Sequence, residues 1–349
     1  MHVRRSIDTA ILVAILLLPG LFCRAQERYS LGSRQVEKPR DEARIIDDTQ
    51  VWSIACRSIK NEDDAPYVFL GTNDGLFVFN GARLNRYTTE HLYSIRGLAF
   101  DHRSDRLYAA GSAGYGWWDL DTFGNACYHP LAEYGSSLMD RDFWRVKIGA
   151  DGLVYFQSHD KVCIYRPDTG ETLTIPPAQH FRYLHESEGA IFVQDGNTLC
   201  GIASDGSLNT ICRVEDRVMD IKRCGGRQIV ALERSGLAEL GDDARLHPLD
   251  AASNRILSEA KILSLTRIGT NHLLVGTTSK GIFYTDDAGR IVTDAETSQV
   301  LGNATVLSVE CDANGDIWAG MEAGVARIDL SSQDYYLEDD RLGRVRAMG

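Results

Sequence analysis

Seven stretches of this chain follow one pattern, and that repetition constrains the fold more than any other feature. Each begins with a short apolar run, at Val51, Ile95, Phe143, Phe181, Val218, Ile262 and Val306. In five copies the second run ends 13 or 14 residues later, at Gln157, Gln194, Leu232, Gly276 and Gly320. The second copy needs 15, to Ala110, and the first is lengthened by "NEDDAP" in its first turn. A third run starts at Gly75, Gly116, Lys161, Thr198, Gly236, Gly281 and Gly324, and a more polar fourth run such as "RLNRYTT" or "ETLTIPP" closes each copy.

The runs are four to six residues long, rich in Val, Ile, Tyr, Phe and Trp, and separated by Gly, Asp, Asn or Ser. That is the signature of strands joined by hairpins; a helix would need ten or more periodic residues. Copies of four antiparallel strands at this period stack radially, because no single sheet can bury both faces alone. The expected fold is all-β: a seven-bladed β-propeller of four-stranded antiparallel blades, over residues 50–341, preceded by a signal peptide at 1–25 and a lead-in at 26–49. Residues 342–349, where "VRAM" begins 39 residues after Val306, read as the start of a truncated further repeat or as a ring-closing strand. The segment "EARIID" at Glu42 is a second candidate for closing the ring.

The last copy, "VLSVECDANGDIWAGMEAGVARID", tests whether Asp312, Asn314 and Asp316 form a metal loop. A calcium loop of EF-hand type needs a carboxylate at its twelfth position, which here is Ala323. Other copies carry "GADG" and "CGGR" at the same place, so a hairpin turn with Gly315 at positive φ explains the residues. No metal or cofactor is expected. HExxH, GxSxG and Walker patterns are all missing, and "GSAGYG" (Gly111 to Gly116) lies between strands rather than ahead of a helix. His180 and His185 sit five apart on one strand and so face opposite ways.

The chain has 37 basic and 49 acidic residues, a net charge of −12. A field of that sign repels phosphate backbones, and nucleic acid is excluded as a partner of this segment. The first residues, "MHVRRSIDTAILVAILLLPGLFCRAQ", place Arg4 and Arg5 before an apolar stretch from Ala10 to Cys23, with Cys23 and Ala25 ahead of a cut before Gln26. This is the form of a secretory signal peptide, with an uncleaved anchor as the other reading. No membrane span is expected after cleavage. Export permits disulfides; Cys200 and Cys212 flank "SDGS" and either pair across a hairpin or are two buried small residues.

Propellers offer a funnel where the loops entering the innermost strands converge. The second residue of each first strand is Trp52, Arg96, Trp144, Arg182, Met219, Leu263 and Leu307. Trp faces stack on sugar rings and Arg binds carboxylates or hydroxyls, so Trp52, Arg96, Trp144 and Arg182 are the candidate ligand residues. The alternative is that they fill gaps between blades.

The stretches "YVFLGTNDGLFVFNG" and "ANGDIWAGMEAGVARID" resemble the repeats of two-component-regulator propellers from Bacteroidetes, where a pattern close to G-x-I/L-W/Y-x-G-T-x-x-G-L recurs. "DFW" followed by "GLVYFQS", then "TIPP", resembles the sensor regions that precede a triple-tyrosine domain. The resemblance covers residues 50 to 349 and implies a periplasmic sensor. In that family more blades, an immunoglobulin-like domain, a membrane helix and a histidine kinase or LuxR-type output follow, and hybrid members of the wider family sense oligosaccharides. It further implies an inner-membrane anchor and a homodimer formed through downstream domains. Copies four and five have "FVQDG" and "VALER" where the pattern has W-x-G-T.

Three functions follow from these readings: an oligosaccharide-sensing propeller of a membrane-bound transcriptional regulator, a propeller enzyme acting on glycans, or a docking module without small ligand. Titratable groups clustered in the funnel favour the enzyme. An aromatic funnel without them favours glycan sensing, and a flat apolar face favours docking.

Overall fold

The structure, a computed structural model, describes residues 36–37, 49–57, 67–81, 83–121, 125–131, 142–292, 305–312, 314–328, 336–339 and 343–346. The proposed signal peptide and the Glu42 segment lie outside these residues. Seven antiparallel sheets follow in chain order, and their innermost strands are Val51–Arg57, Ile95–Asp101, Phe143–Ile148, Phe181–Ser187, Val218–Cys224, Ile262–Ile268 and Val306–Cys311. All seven begin at the residue read from the sequence. Each innermost strand touches that of the blade before and after it, and blade seven's touches blade one's. The ring is therefore closed, and the fold is a seven-bladed propeller.

The core is divided rather than single. Seven apolar clusters each join two neighbouring blades, from Phe69, Leu76 and Leu98 between blades one and two to Val51, Phe77 and Trp318 between seven and one. Every blade buries both faces, which is why its inner strands are apolar almost throughout.

The G-T-x-x-G pattern has a mechanical explanation. A Cβ on Gly71 would lie 2.9 Å from the Ile95 carbonyl oxygen, and one on Gly320 would lie 2.7 Å from that of Val51. Glycine there lets the next blade's innermost strand pass at close range. The following threonine ties the hairpin: Thr72 Oγ1 donates to the Gly75 carbonyl at 3.0 Å and accepts from Asp74 N at 3.0 Å, and Thr277 Oγ1 donates to Gly281 O at 2.8 Å. In blade four Gln194 stands in the glycine position. Its side chain accepts from Val218 N at 2.9 Å and donates to Asp216 O at 2.9 Å, stitching blade four to blade five by another route.

An N-terminal segment completes blade seven. Val36–Glu37 pairs antiparallel with Val325–Ile328 and takes the fourth place in blade seven. Gly343–Arg346 instead pairs with Tyr336–Asp339 in a separate two-stranded sheet, so it is not the ring-closing strand. One element was not expected: a helix, Ala251–Ala260, between blades five and six. Asp250 caps it by accepting from Ser253 N at 2.8 Å, and Leu257 and Ala260 pack into the seam between those blades. Among the described residues no helix is long and apolar enough to cross a membrane.

Candidate functional site

The innermost strands share an irregularity. In each one the register shifts within its first few residues, between Val51 and Ser53, Ile95 and Gly97, Phe143 and Arg145, Phe181 and Leu184, Val218 and Asp220, Ile262 and Ser264, and Val306 and Ser308. A bulge turns the extra side chain out of the pleat. Here it turns Trp52, Arg96, Trp144, Met219, Leu263 and Leu307 toward the ring axis, at the face where the innermost strands start.

Four candidate residues were named from the sequence, and the structure brings three together. Trp52 and Trp144 meet edge to face with centroids 6.4 Å apart, and the Arg96 guanidinium carbon lies 4.0 Å over the Trp144 ring. Arg96 also pairs with Asp142, and Trp52 Nε1 donates to Asn73 Oδ1 at 2.8 Å. Arg182 does not join them; in blade four Tyr183 lines the space, with Arg145 stacked 4.7 Å over its ring. The remaining cavity is about 60 Å³. These side chains pack on one another as a plug, within which Trp144 Nε1 is buried and without a hydrogen bond among the described residues.

Cys200 and Cys212 do not form a disulfide. Cys200 packs with blade three and Cys212 with blade five, on opposite faces of blade four, and all seven cysteines of the described residues are free. His180 and His185 are likewise apart: His180 precedes the strand and stacks on His159 at 4.9 Å, while His185 is buried within the strand Phe181–Ser187, 1% exposed.

The open space lies below the plug. A cavity of about 660 Å³ runs down the axis to the opposite face, within the 300–1,000 Å³ range of small-molecule sites. Arg145, Met219, Leu263 and Leu307 border both spaces, so the bulged ring is the partition. The walls below it are unequal. Blades one and two offer Ser53, Ala55 and Ala99, whereas blades three, five and seven offer Arg145, Lys147, Asp220, Lys222 and Glu310. Small residues make room on one side, and charges crowd the other.

The charges hold each other in unusual states. Burial works against the Asp220 carboxylate, but Lys222, His185 and Lys147 outweigh it and keep its pKa well below the ordinary range. Lys222 is likewise penalised by burial and rescued, its pKa raised, by Asp220, Glu186 and Glu310. Lys222 Nζ lies 3.8 Å from Asp220 Oδ2 and donates to the Glu186 carbonyl at 3.4 Å. Burial pushes Glu310 up, with Lys222 offsetting only part, and Thr266 Oγ1 donates to its Oε1 at 3.4 Å. His185, with Nδ1 3.8 Å from Asp220 Oδ1, is held down to about 4 by burial, opposed by Asp220.

Lys147 is different. Burial lowers its pKa and Lys222 lowers it further, Asp220 and Glu186 oppose this, and among the described residues it makes no hydrogen bond or close ion pair. It sits two residues beyond Arg145 on the same strand, so both reach the same cavity. The strand pattern held this signal, since the third and fifth residues of the first strand line the cavity in blades one, three, five, six and seven. Attention to the second residue alone missed it.

The same architecture appears in solved structures. The extracellular domain of the hybrid two component system BT4673 of B. thetaiotaomicron superposes with a TM-score of 0.64 and 17% identity, over 87% of this chain and 41% of that one. That of BT3049 from the same organism gives 0.61 and 15%, over 82% and 40%. A catalytically inactive virginiamycin B lyase from Staphylococcus aureus, with quinupristin, gives 0.59 and 11%, over 84% and 97%. The likeness is one of fold. The two-component neighbours agree with the family that the repeats resemble, and this chain spans about two fifths of their length. No protein-family model matches the sequence, and no protein of curated function matches it.

Proposed function

We propose that this chain is the ligand-sensing propeller of an extracytoplasmic receptor, and that it takes an anionic saccharide into the axial cavity from the face opposite the plug. The observation that carries the reading is the pair Arg145 and Lys147, two cations that face a cavity large enough for a small glycan and that make no close ion pair among the described residues, Asp220 and Glu186 acting on Lys147 only at longer range. A carboxylate or sulfate on the ligand would supply the close anionic partner these two cations lack, and Glu310, Ser53 and Thr266 in the cavity wall would meet its hydroxyls. The two-component neighbours support the sensing role, and the signal sequence supports export.

The test is thermal unfolding with matched neutral and acidic oligosaccharides. A ligand at 100 times its dissociation constant adds about 2.7 kcal/mol. Acidic glycans should raise the midpoint and neutral ones should not; a panel in which neither class moves it defeats the proposal.

A second reading has its own support. Lys147 with a lowered pKa and Glu310 with a raised one are a base and an acid in one cavity, the division of roles that proton-transfer enzymes use. The lyase neighbours share the ring. Incubation of the chain with acidic glycans, followed by chromatography for shortened or unsaturated products, separates the readings: turnover makes it an enzyme, and binding without turnover a sensor.

A further inference from the structure

Blade two carries a second cluster, on its outer strands and away from the axial cavity. Strands Gly114–Leu120 and Ala126–Pro130 pair with Asp119 opposite Cys127 and Trp117 opposite His129. Side chains alternate along a strand, so Trp118 and Tyr128 turn one way, into the seam with blade one. Asp119, Cys127 and His129 turn the other way together. A carboxylate oxygen of Asp119, the Cys127 sulfur and a ring nitrogen of His129 all lie within 4.8 Å of one another.

The histidine is held for this geometry. Its ring stacks on Trp117 with centroids 3.9 Å apart and 11° between planes, and the Arg106 guanidinium lies 4.1 Å over that indole from blade two's second strand. His129 Nε2 is shielded from solvent and makes no hydrogen bond among the described residues, yet lies 3.3 Å from Asp119 Oδ2. Cys127 carries a free, exposed thiol. An orphaned imidazole nitrogen aimed between a thiol and a carboxylate is a donor set without its acceptor.

We propose that Asp119, Cys127 and His129 form a binding site for a borderline-soft divalent cation of the zinc class. Sulfur excludes magnesium and calcium, which take oxygen ligands, while thiolate, imidazole and carboxylate together suit zinc. Metal–ligand bonds of about 2.0–2.3 Å need the three donors to close, by rotation of the exposed Cys127 and the half-buried Asp119 side chains. Three protein ligands leave the fourth position to water. The thiol gives up its proton on binding, so affinity rises with pH. The sequence hid the site because Asp119 and Cys127 meet only through the strand register.

Titration of the full chain with Co2+ tests it. The expected result is one equivalent of cobalt with a thiolate-to-metal charge-transfer band in the near ultraviolet, strong visible d–d bands of four-coordination, and loss of both on adding Zn2+. Cys127→Ser should abolish the charge-transfer band, and His129→Gln should weaken binding by about 100-fold or more, at least what loss of an outer-shell partner costs. Cys311→Ser should change nothing. Because Cys127 is exposed, its variant should unfold at the parent's midpoint; if it does not, His129→Gln serves as the decisive variant. No band at excess Co2+, or a band that survives in Cys127→Ser, overturns the proposal.

Discussion

Arg96 covers the face of Trp144 with its guanidinium and gives its charge to Asp142. The aromatic surface that a sugar would use is thus occupied by the protein itself. Arg96→Ala should cost about 1–2 kcal/mol, from a lost cation–π contact and an unpaired Asp142. Urea titration measures that cost. Affinity of any acidic glycan should stay within twofold of the parent, as calorimetry can check; a tenfold loss would move the ligand to the plug.

Gly320 is the tightest point of the seam that closes the ring. Gly320→Ala would press a methyl against the Val51 carbonyl at 2.7 Å and against Ser308 Oγ at 2.4 Å. The expected loss is about 2–3 kcal/mol, as for overpacking elsewhere. Gly315→Ala is the contrast: its φ is +85°, but nothing lies within 4 Å of the new Cβ, so only the backbone term of about 1 kcal/mol applies. Equal losses in the two variants would refute the close-approach argument.

Acid should loosen this propeller before its carboxylates titrate. His185 has an ordinary value of about 6.5 unfolded and about 4 in the fold, so between these values the unfolded chain binds a proton that the native chain refuses. Stability is full above this window and falls as pH drops through it, by about 2 kcal/mol from about pH 7 to about pH 5. Asp220 opposes the effect, while Arg145 and Lys147 add to it. His185→Gln should flatten the slope of urea midpoint against pH; an unchanged slope would assign it to another group.

Lys147 and Asp220 should respond to neutralisation with opposite signs. Asp220→Asn strands Lys222 and Lys147 and should destabilise by about 2–3 kcal/mol. Lys147→Met removes a penalised charge and should be neutral or stabilising, while acidic-glycan affinity falls by about tenfold or more. Such a gain in stability with a loss of binding is what a binding residue produces and a packing residue does not. Chemical denaturation and calorimetry on the same samples decide it.

What the sequence disclosed follows from which forces are local. Strand starts at Val51 through Val306 were legible because short apolar runs at a fixed spacing recur in every copy, and in blades one, six and seven the Gly71-type close approach adds to them. The helix Ala251–Ala260 escaped because a ten-residue segment between two strong strand patterns looks like a long connection; only Asp250 as a cap marked it. Trp52, Arg96 and Trp144 were found at the axis, but the edge-to-face packing and the Asp142 counter-ion that tie them together are decided across blades. The Asp119, Cys127 and His129 group needed the register of two strands, which no spacing encodes.

The seven seams close on themselves, and this imposes a rule that an open stack of sheets would escape. The angles between successive blades must sum to one full turn, so no blade can tilt alone. If a ligand draws the charged wall of blades three, five and seven toward the small-residue wall of blades one and two, the remaining seams must open or shear to compensate. Occupancy at the axis is thereby converted into a change of circumference, available at the outer edge of every blade at once.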